Sequence, residues 1–279
     1  MLVNMKNLLE RAKDGKYAIP QFNINNLEWT RFILEECQKN NSPVILGVSE
    51  GACKYMGGYK TVTDLIKDLV DYLDITVPVV IHLDHGSSFD SCKMAIDNGF
   101  TSVMIDASKF EFEKNVEITK EVVRYSKKFN ISVEGEIGHI GNNINEDILY
   151  AKVDDCVKYC QETDIDFLAP ALGSVHGLYK GEPKLNFDRM LEISKKTSLP
   201  LVLHGGTGIY DEQIIKAIEC GISKININTE LQIAWSNAVK EKINEGNIYD
   251  PRKIIKLGEE ALKKCVRNKI YLLGSNNKA

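Results

Sequence analysis

The sequence predicts a single (β/α)8 (TIM) barrel domain over residues 1–279, with an additional C-terminal helix. Short β-like segments alternate with helix-like segments eight times along the chain. The β-like segments are continuous runs of Val, Ile and Leu, which are typical of parallel strands covered by helices. The length of 279 residues suits such a barrel, and no linker of biased composition divides the chain.

The apolar runs place eight strands along the chain. We predict them at Tyr17–Asn23, Val44–Ser49, Val79–Leu83, Thr101–Ile105, Ser132–Ile137, Asp166–Ala169, Leu199–Leu203 and Ile222–Ile227. A helix-like segment follows each strand, and one more helix follows the last of these. We predict these helices at Leu27–Lys39, Thr61–Tyr72, Ser88–Asn98, Glu113–Lys128, Val153–Glu162, Phe187–Lys196, Asp211–Glu219, Glu230–Asn244 and Pro251–Val266.

Two connections are longer than the others. Gly138–Lys152 follows the fifth strand, and Ala171–Leu185 follows the sixth. Both contain glycine, and long loops of this kind at the catalytic rim of a barrel are candidates for lids.

Composition narrows the classes of partner and compartment. The net charge of −4 gives no sign of a nucleic-acid surface, and no apolar run approaches a membrane span. The N-terminal stretch carries charges among its apolar residues and lacks the layout of a signal peptide. Seven scattered cysteines fit reduced thiols in a cytoplasm better than a disulfide framework. We therefore expect a cytoplasmic protein with no nucleic-acid or membrane partner.

Three of the five histidines stand at or just after the ends of predicted strands. They are His85, His176 and His204, which follow the third, sixth and seventh strands. The active site of such a barrel lies at the carboxyl ends of its strands, so we expect the three imidazoles to converge on one rim. Three nitrogen ligands with a fourth position left open are typical of a catalytic zinc site.

Acidic side chains stand at the same strand ends. Asp84 directly precedes His85 and is either a general acid or base, or a carboxylate that orients an imidazole. Asp106 and Glu136 are candidates for additional or alternative metal ligands. Glu134 shares the parity of Glu136, so the pattern leaves open which of the two reaches the site.

The other two histidines have different interpretations. His82 lies inside the third strand, at opposite parity to His85, and is predicted to be a structural histidine hydrogen-bonded in the core. His139 lies in the long loop after the fifth strand, where it is either solvated or a substrate contact.

A glycine-rich turn and a second helix start follow the last two strands. Residues 204–208 read His-Gly-Gly-Thr-Gly, and residues 226–229 read Asn-Ile-Asn-Thr. The backbone amides of such a turn and a helix N-terminus suit a phosphate, which barrels often bind after strands seven and eight. The spacing does not match the dinucleotide-binding fingerprint.

A metal, a phosphate pocket and a carboxylate together indicate a phosphorylated carbonyl substrate. The cation would polarise the carbonyl and a carboxylate would move the proton, as in aldol cleavage or isomerisation. The alternative strategy is a lysine Schiff base. The only strong candidate within a strand is Lys224, which we predict to face the helix layer.

Nine motifs spread over the whole chain resemble those of the class II (metal-dependent) fructose-1,6-bisphosphate aldolases. They are YAIPQFNINN (17–26), PVILGVSEGA (43–52), HLDHGSSF (82–89), SVMIDAS (102–108), VEGEIG (133–138), ALGSVHG (171–177), LHGGTG (203–208), KININTE (224–230) and YDPR (249–252). The order and spacing of these motifs carry the resemblance.

The resemblance implies the chemistry of individual residues. It implies zinc held by His85, His176 and His204, with Glu136 as an additional metal-site glutamate. Asp106 resembles the aspartate of an auxiliary cation position. Asp84 resembles the acid that serves the substrate oxygen at the bond being broken or made.

The resemblance also implies the substrate contacts. The residues that match contacts to dihydroxyacetone phosphate are Gly177, Gly205, Thr207, Asn226, Asn228 and Thr229. Ser49 and Arg252 match contacts to the other phosphate, and the arginine would come from a neighbouring subunit of a homodimer or homotetramer. We also expect Asn23, at the first strand end, to bind substrate. Some members of the family use a further divalent or monovalent cation.

One stretch departs from the family pattern. The loop after Gly138 normally carries a Gly-Gly-x-Glu-Asp sequence, whose glutamate transfers the proton at the dihydroxyacetone carbon. Here the Glu-Asp pair arrives late, at Glu146 and Asp147, and the loop before Val153 is shortened. Glu146 is the best match for the base, with Asp147 as the second candidate. The altered loop leaves a changed substrate open.

The sequence therefore predicts reversible cleavage of fructose 1,6-bisphosphate, a reaction of glycolysis and gluconeogenesis. The alternative is an aldolase for a related ketose phosphate such as tagatose 1,6-bisphosphate, which differs in the configuration of one hydroxyl group. A metal hydrolase on the same fold is disfavoured because the early His-x-His of that barrel is missing. A non-enzymatic binding role is disfavoured because no metal ligand is lost.

Overall fold

Eight parallel strands close into a barrel in chain order. The computed structural model describes residues 1–138, 150–177, 179 and 181–279. The strands are β1 (Ile19–Asn23), β2 (Val44–Ser49), β3 (Val79–Gly86), β4 (Ser102–Ile105), β5 (Ser132–Ile137), β6 (Phe167–Pro170), β7 (Leu201–Leu203) and β8 (Ile222–Ile227). The barrel closes where β8 pairs with β1, with Lys224 beside Ile19.

Helices cover the outer face of the barrel. They are α1 (Lys6–Asp14), α2 (Leu27–Lys39), α3 (Glu50–Tyr55), α4 (Tyr59–Tyr72), α5 (Phe89–Asp97), α6 (Phe112–Ser126), α7 (Val153–Thr163), α8 (Phe187–Thr197), α9 (Asp211–Glu219), α10 (Thr229–Lys242), α11 (Pro251–Lys256) and α12 (Glu259–Leu272). Short 3-10 turns extend α6 and α10 at Lys127–Phe129 and Ile243–Glu245. No helix in the described ranges is long and apolar enough to cross a membrane.

The predicted (β/α)8 barrel is confirmed, and the differences are local. The C-terminal helix is in fact two helices, α11 and α12, separated at Gly258. Gly258 packs so closely on the indole of Trp235 that a Cβ atom there would overlap the ring. The same indole donates a hydrogen bond to the carbonyl of Ile255 at 3.0 Å. This contact explains why the chain bends where the sequence pattern predicts one continuous helix.

Helix α1 was not predicted, and it closes the N-terminal end of the barrel. Its buried face carries Leu8, Leu9 and Ala12. These side chains join one apolar cluster with inward-facing strand residues such as Ile45 and Val80. Helix α1 thus shields the N-terminal end of the barrel interior from water. The cavity lies at the opposite end, at the carboxyl ends of the strands.

The alternation of residues along β3 shows how a strand supplies both core and site. Ile81 and Leu83 point outward and join the core beneath the helices. Val80 faces the barrel interior in contact with the α1 cluster. His82 and Asp84 follow on the same interior face, because successive side chains of a strand point to opposite sides. The barrel interior thus changes from apolar at its floor to polar at its rim.

Candidate active site

A cavity of about 390 Å³ opens at the carboxyl ends of the strands. Its walls come from loops after strands on all sides of the barrel. The lining residues are Asn23, Asn25, Ser49, Asp84, His85, Asp106, His176, Gly177, Gly205, Thr207, Asn226, Asn228 and Thr229. All of them except Asn25 are residues that the sequence predicts for the site. Most of these residues are polar.

Three imidazoles meet beside this cavity, and two of them, His85 and His176, line it. His85, His176 and His204 each offer a ring nitrogen, and these nitrogens lie within 4.8 Å of one another. The ring centroid of His85 lies 5.0 Å from that of His176 and 4.7 Å from that of His204. Atoms this close can bind one cation together, with small adjustments of the rings. The sequence expectation that three distant histidines converge on one rim therefore agrees with the geometry.

A second group of ligand atoms shares His85. The side chains of His85, Asp106 and Glu136 also offer atoms within 4.8 Å of one another. The hydroxyl of Ser108 lies between the two acids, 2.7 Å from Asp106 Oδ1 and 3.0 Å from Glu136 Oε1. The arrangement can hold a cation at a position next to the three-histidine group, as expected for Asp106 and Glu136 from the sequence.

The backbone at His85 explains how two adjacent residues both reach the cavity. His85 has a φ of 54°, in the left-handed region that non-glycine residues rarely adopt. The pairing of β3 with β4 shifts register between Leu83 and Gly86. An ordinary strand would point Asp84 and His85 to opposite faces. The irregularity turns both side chains inward, and strained backbone of this kind is common at functional sites.

Asp106 orients the ring of His85. The Nδ1 atom of His85 lies 2.9 Å from Asp106 Oδ2. Burial alone would raise the pKa of Asp106, but the hydrogen bond from His85 holds this pKa well below its usual range. Burial opposes the charge on His85, and Asp106 outweighs it, so the pKa of the imidazole is raised. With Nδ1 engaged, Nε2 of His85 is the atom left to face the cavity.

His204 stands between two carboxylates and is fully buried. Its Nε2 lies 2.9 Å from Glu134 Oε1, and its Nδ1 lies 3.3 Å from Glu136 Oε2. Burial lowers the pKa of His204, but the two glutamates outweigh burial and raise it to about 9. Within the described residues, His204 Nδ1 and Glu136 Oε2 have no hydrogen-bond partner. Strand parity left open which glutamate reaches the site. Glu134 contacts His204 and Lys224, whereas Glu136 is the one that offers a possible ligand atom near those of His85 and Asp106.

Asp84 is held by two amide groups. Asn23 Nδ2 donates to one carboxylate oxygen at 2.8 Å, and Asn226 Nδ2 donates to the other at 3.2 Å. Burial raises the pKa of Asp84, but the nearby charge of His85 outweighs burial and moves this pKa far below its ordinary value. The carboxylate is therefore ionised and fixed at the cavity wall, beside the imidazoles. This geometry fits a group that exchanges a proton with a bound ligand.

The glycine-rich turn after β7 borders the cavity on its far side. Gly205 has a φ of 66°, and a Cβ atom there would overlap the carbonyl oxygen of Val175. The amide of Gly206 donates to the carbonyl of Asn226 at 3.2 Å, which joins the turn to the end of β8. Helix α10 begins at Thr229, on the cavity wall. Turn amides and a helix N-terminus thus surround one end of the cavity, as an anion site requires.

Tyr179, which no sequence pattern indicated, connects this turn to the loop that carries His176. Its hydroxyl accepts from the amide of Val175 at 3.1 Å and donates to the carbonyl of Gly205 at 3.2 Å. Burial raises the pKa of Tyr179 to about 12, so the phenol stays protonated and keeps donating. No spacing rule marks a tyrosine in a glycine-containing loop as a bridge, because both partners are backbone groups.

Several predicted residues lie elsewhere. Arg252 does not line the cavity; its guanidinium pairs with Asp250 at 2.8 Å, and its side chain is 87% exposed. Glu146, Asp147 and His139 lie outside the described residues.

The prediction for Lys224 is wrong. This lysine was expected to face the helix layer, but it is fully buried inside the barrel, with Nζ 2.8 Å from Glu134 Oε2. The parity of β8 places it inward together with Asn226. His82 also lies inside the barrel, where its Nδ1 is 2.9 Å from Ser102 Oγ. Burial and the charge of Lys224 lower the pKa of His82 to about 3, so it is neutral, in agreement with a structural role.

Comparison with known proteins assigns the chain to a family. The family profile described as "Fructose-bisphosphate aldolase class-II" matches residues 3–278. The chain belongs to this family. Class II aldolases are carbon–carbon lyases and are generally zinc-dependent.

Relatives of the class II aldolase family match this chain over its full length. The fructose-bisphosphate aldolase of Geobacillus stearothermophilus is 56% identical over 283 residues, covering 100% of this chain and 99% of the relative. The fructose-bisphosphate aldolase of Staphylococcus epidermidis is 54% identical with the same coverage. Among solved structures, the crystal structure of the YdjI aldolase from Escherichia coli K12 has a TM-score of 0.90, 34% identity and full coverage of both chains.

Proposed function

We propose that this class II aldolase cleaves fructose 1,6-bisphosphate reversibly to dihydroxyacetone phosphate and glyceraldehyde 3-phosphate, a step of glycolysis and gluconeogenesis. One observation carries the proposal: three imidazoles offer ring nitrogens within 4.8 Å of one another, and two of these rings line a cavity together with the Asp84 carboxylate and a glycine-rich turn. Relatives that are 54–56% identical over the whole chain are named fructose-bisphosphate aldolases. Their names favour the fructose substrate over the tagatose isomer.

Zinc fits the ligand atoms of this site. His85, His176 and His204 offer three nitrogen donors, the usual set of a catalytic zinc site with an open position. The unpartnered Nδ1 of His204 and Oε2 of Glu136 are both buried, and a cation would satisfy both atoms. When bound, zinc would polarise the substrate carbonyl as a Lewis acid. Asp106 and Glu136 would serve an auxiliary cation position.

The glycine-rich turn would hold the phosphate of the dihydroxyacetone half. The amides of Gly205, Thr207 and Gly208 and the start of α10 would supply donors, and Thr207, Asn228 and Thr229 would add polar side chains. Binding the phosphate at a fixed distance from the imidazoles would place the carbonyl beside them. Orientation of this kind is a large part of catalysis by such sites.

Asp84 would carry the proton at the bond that breaks. During cleavage it takes the proton of the substrate hydroxyl, and during condensation it returns the proton to the aldehyde oxygen. Asn23 and Asn226 keep both carboxylate oxygens in place through their amide donors. Glu146, with Asp147 as the second candidate, is proposed as the group that transfers the proton at the dihydroxyacetone carbon.

The second phosphate would lie near Ser49. Ser49 lines the cavity, and its hydroxyl accepts from the amide of Ala52 at the start of α3. Arg252 does not line the cavity of its own chain, which supports its proposed contribution to the site of a neighbouring subunit. We therefore propose a homodimer or homotetramer.

A coupled assay with fructose 1,6-bisphosphate tests the proposal. We expect cleavage that EDTA abolishes and zinc restores, and no covalent adduct when borohydride is added with substrate. Full activity in chelator, or a lysine adduct, would reject the metal-dependent mechanism. A higher kcat/KM for tagatose 1,6-bisphosphate would reassign the substrate to the related ketose phosphate.

A further inference from the structure

A row of buried charged groups lies beneath the cavity. Lys224 Nζ is 2.8 Å from Glu134 Oε2, and Glu134 Oε1 is 2.9 Å from His204 Nε2. All three side chains are fully buried. Lys224 does not line the cavity, and Glu134 lies between its ammonium and the ring of His204.

The strands explain why these three groups meet. Lys224 lies on β8, beside Ile19 of β1 and Val202 of β7, and both neighbours belong to the apolar floor cluster. Glu134 lies on β5, so the ion pair crosses the barrel interior between strands that are not neighbours. A buried carboxylate is costly unless an opposite charge and hydrogen bonds accompany it. Lys224 supplies that charge from a surrounding that is otherwise largely apolar.

The ring of His204 could be oriented by either of two carboxylates. Nε2 faces Glu134 at 2.9 Å, and Nδ1 faces Glu136 Oε2 at 3.3 Å. A neutral imidazole carries one N–H, and its other nitrogen is the one that can bind a metal. Lys224 forms an ion pair with one oxygen of Glu134, and the other oxygen faces Nε2 of His204. The ion pair keeps Glu134 in place as the acceptor of the Nε2–H, which leaves Nδ1 on the cavity side.

We propose that Lys224 is a positioning residue of the metal site, which acts through Glu134 to hold His204 with Nδ1 toward the cation. The inference rests on the zinc site of the proposed function. Lys224 is the only lysine in the eight described strands, and the inference gives it a role other than nucleophilic attack on a carbonyl. Hydrogen-bond partners of metal-binding histidines commonly set ring orientation and metal affinity.

Zinc affinity of the full-length protein tests the inference, measured after metal removal by competition with a chromogenic chelator. We expect Lys224→Met to weaken zinc binding about 10- to 100-fold, the usual cost of losing such a partner. The absorption spectrum of the Co²⁺-loaded protein should change as well, because the ligand geometry is altered. As a matched control, Lys263→Met removes a lysine paired with Glu35 and Glu259 on the outer helices, and should leave both measurements unchanged.

Lys224→Met alone leaves the buried carboxylate of Glu134 without its ion-pair partner, which could destabilise the fold. Two double variants avoid this effect, because each also replaces Glu134 by an uncharged residue. Lys224→Met with Glu134→Gln keeps a carbonyl oxygen that can accept the Nε2–H but has no lysine to hold it, so zinc affinity should fall less than in the second double variant. Lys224→Met with Glu134→Leu removes the acceptor and should lose affinity about 10- to 100-fold.

Equal zinc affinity of the two double variants would overturn the inference, as would a folded Lys224→Met protein with unchanged affinity and Co²⁺ spectrum. The unsubstituted protein tests the proposed function separately. If it failed to bind zinc, the proposed site would fall and this inference with it.

Discussion

The Nδ1 atom of His85 lies 2.9 Å from the Oδ2 atom of Asp106, across the ends of β3 and β4. The contact holds a ring whose backbone is in the left-handed region, with a φ of 54°. A strained residue keeps such a conformation only when its surroundings determine it. Asp106 therefore orients the ring of His85. This role is additional to the one expected for Asp106 at an auxiliary cation position.

Replacing Asp106 tests this orienting contact. We expect Asp106→Ala to weaken zinc binding about 10- to 100-fold, because the His85 ring loses its hydrogen-bond partner. Asp106→Asn should lose less, since its carbonyl oxygen can still accept from Nδ1. Chelator competition measures both. Equal zinc affinity in the alanine variant and the unsubstituted protein would contradict the orienting role.

Asp84 should matter for the chemical step and little for zinc binding. We expect Asp84→Asn to lower kcat for fructose 1,6-bisphosphate cleavage by about 10²- to 10⁴-fold, the usual worth of a positioned proton-transfer group. Steady-state kinetics give kcat, and chelator competition on the same preparation gives zinc affinity. A variant that loses zinc in proportion to its activity would instead indicate that Asp84 acts on the metal site.

The backbone of Gly205 should not tolerate a side chain. We expect Gly205→Ala to lower the free energy of unfolding by about 1–3 kcal/mol, because alanine is strained at a positive φ. Its Cβ atom would also push against the carbonyl of Val175, next to His176, so the KM for substrate should rise. Gly181→Ala is the control, since no atom of the described residues lies within 4 Å of the added Cβ. Similar urea unfolding and KM in both variants would count against a tightly packed turn.

An ion pair between α2 and α12 should make stability depend on pH. Arg267 Nε lies 2.6 Å from Glu36 Oε1, and the Glu36 side chain is only 3% exposed. Burial raises the pKa of Glu36, but Arg267 outweighs burial and lowers it below the ordinary 4.5. A lowered pKa stabilises the fold above the unfolded-state value, and this contribution disappears as pH falls through the folded-state value.

Glu36→Gln should therefore cost about 1 kcal/mol of unfolding free energy at neutral pH. The difference from the unsubstituted protein should shrink as pH falls below 4.5, the ordinary glutamate value. Urea unfolding at several pH values measures this. Glu10→Gln, at an exposed position of α1, serves as the control and should show no such trend. A deficit that stays constant down to acid pH would rule out the ion pair as its source.

Much of the site follows from strand order alone. Because all eight strands are parallel, residues at their carboxyl ends meet on one rim, whatever their separation in sequence. His85, His176 and His204 could be predicted to converge for this reason. Their roles as zinc ligands remain predictions that the affinity measurements above address.

Other features depend on contacts that sequence patterns do not encode. Lys224 lies in an apolar strand, and its inward direction and its partner Glu134 depend on how β8 and β5 face each other across the barrel. Helix α1 packs across the N-terminal end of the barrel because apolar side chains of the strands point inward there. Tyr179 joins two backbone groups, which carry no sequence signal.

The sequence by itself determined the barrel, the rim where the site lies and most of the polar groups on it, because strand periodicity and strand ends are local properties of the chain. Only the tertiary structure decided which ring nitrogen of His85 and of His204 has a carboxylate partner. That choice depends on the hydrogen bonds that the carboxylates of Asp106 and Glu134, on other strands, accept from His85 and His204. Ring orientation is set by partners distant in sequence, and such partners are known only once the chain has closed on itself.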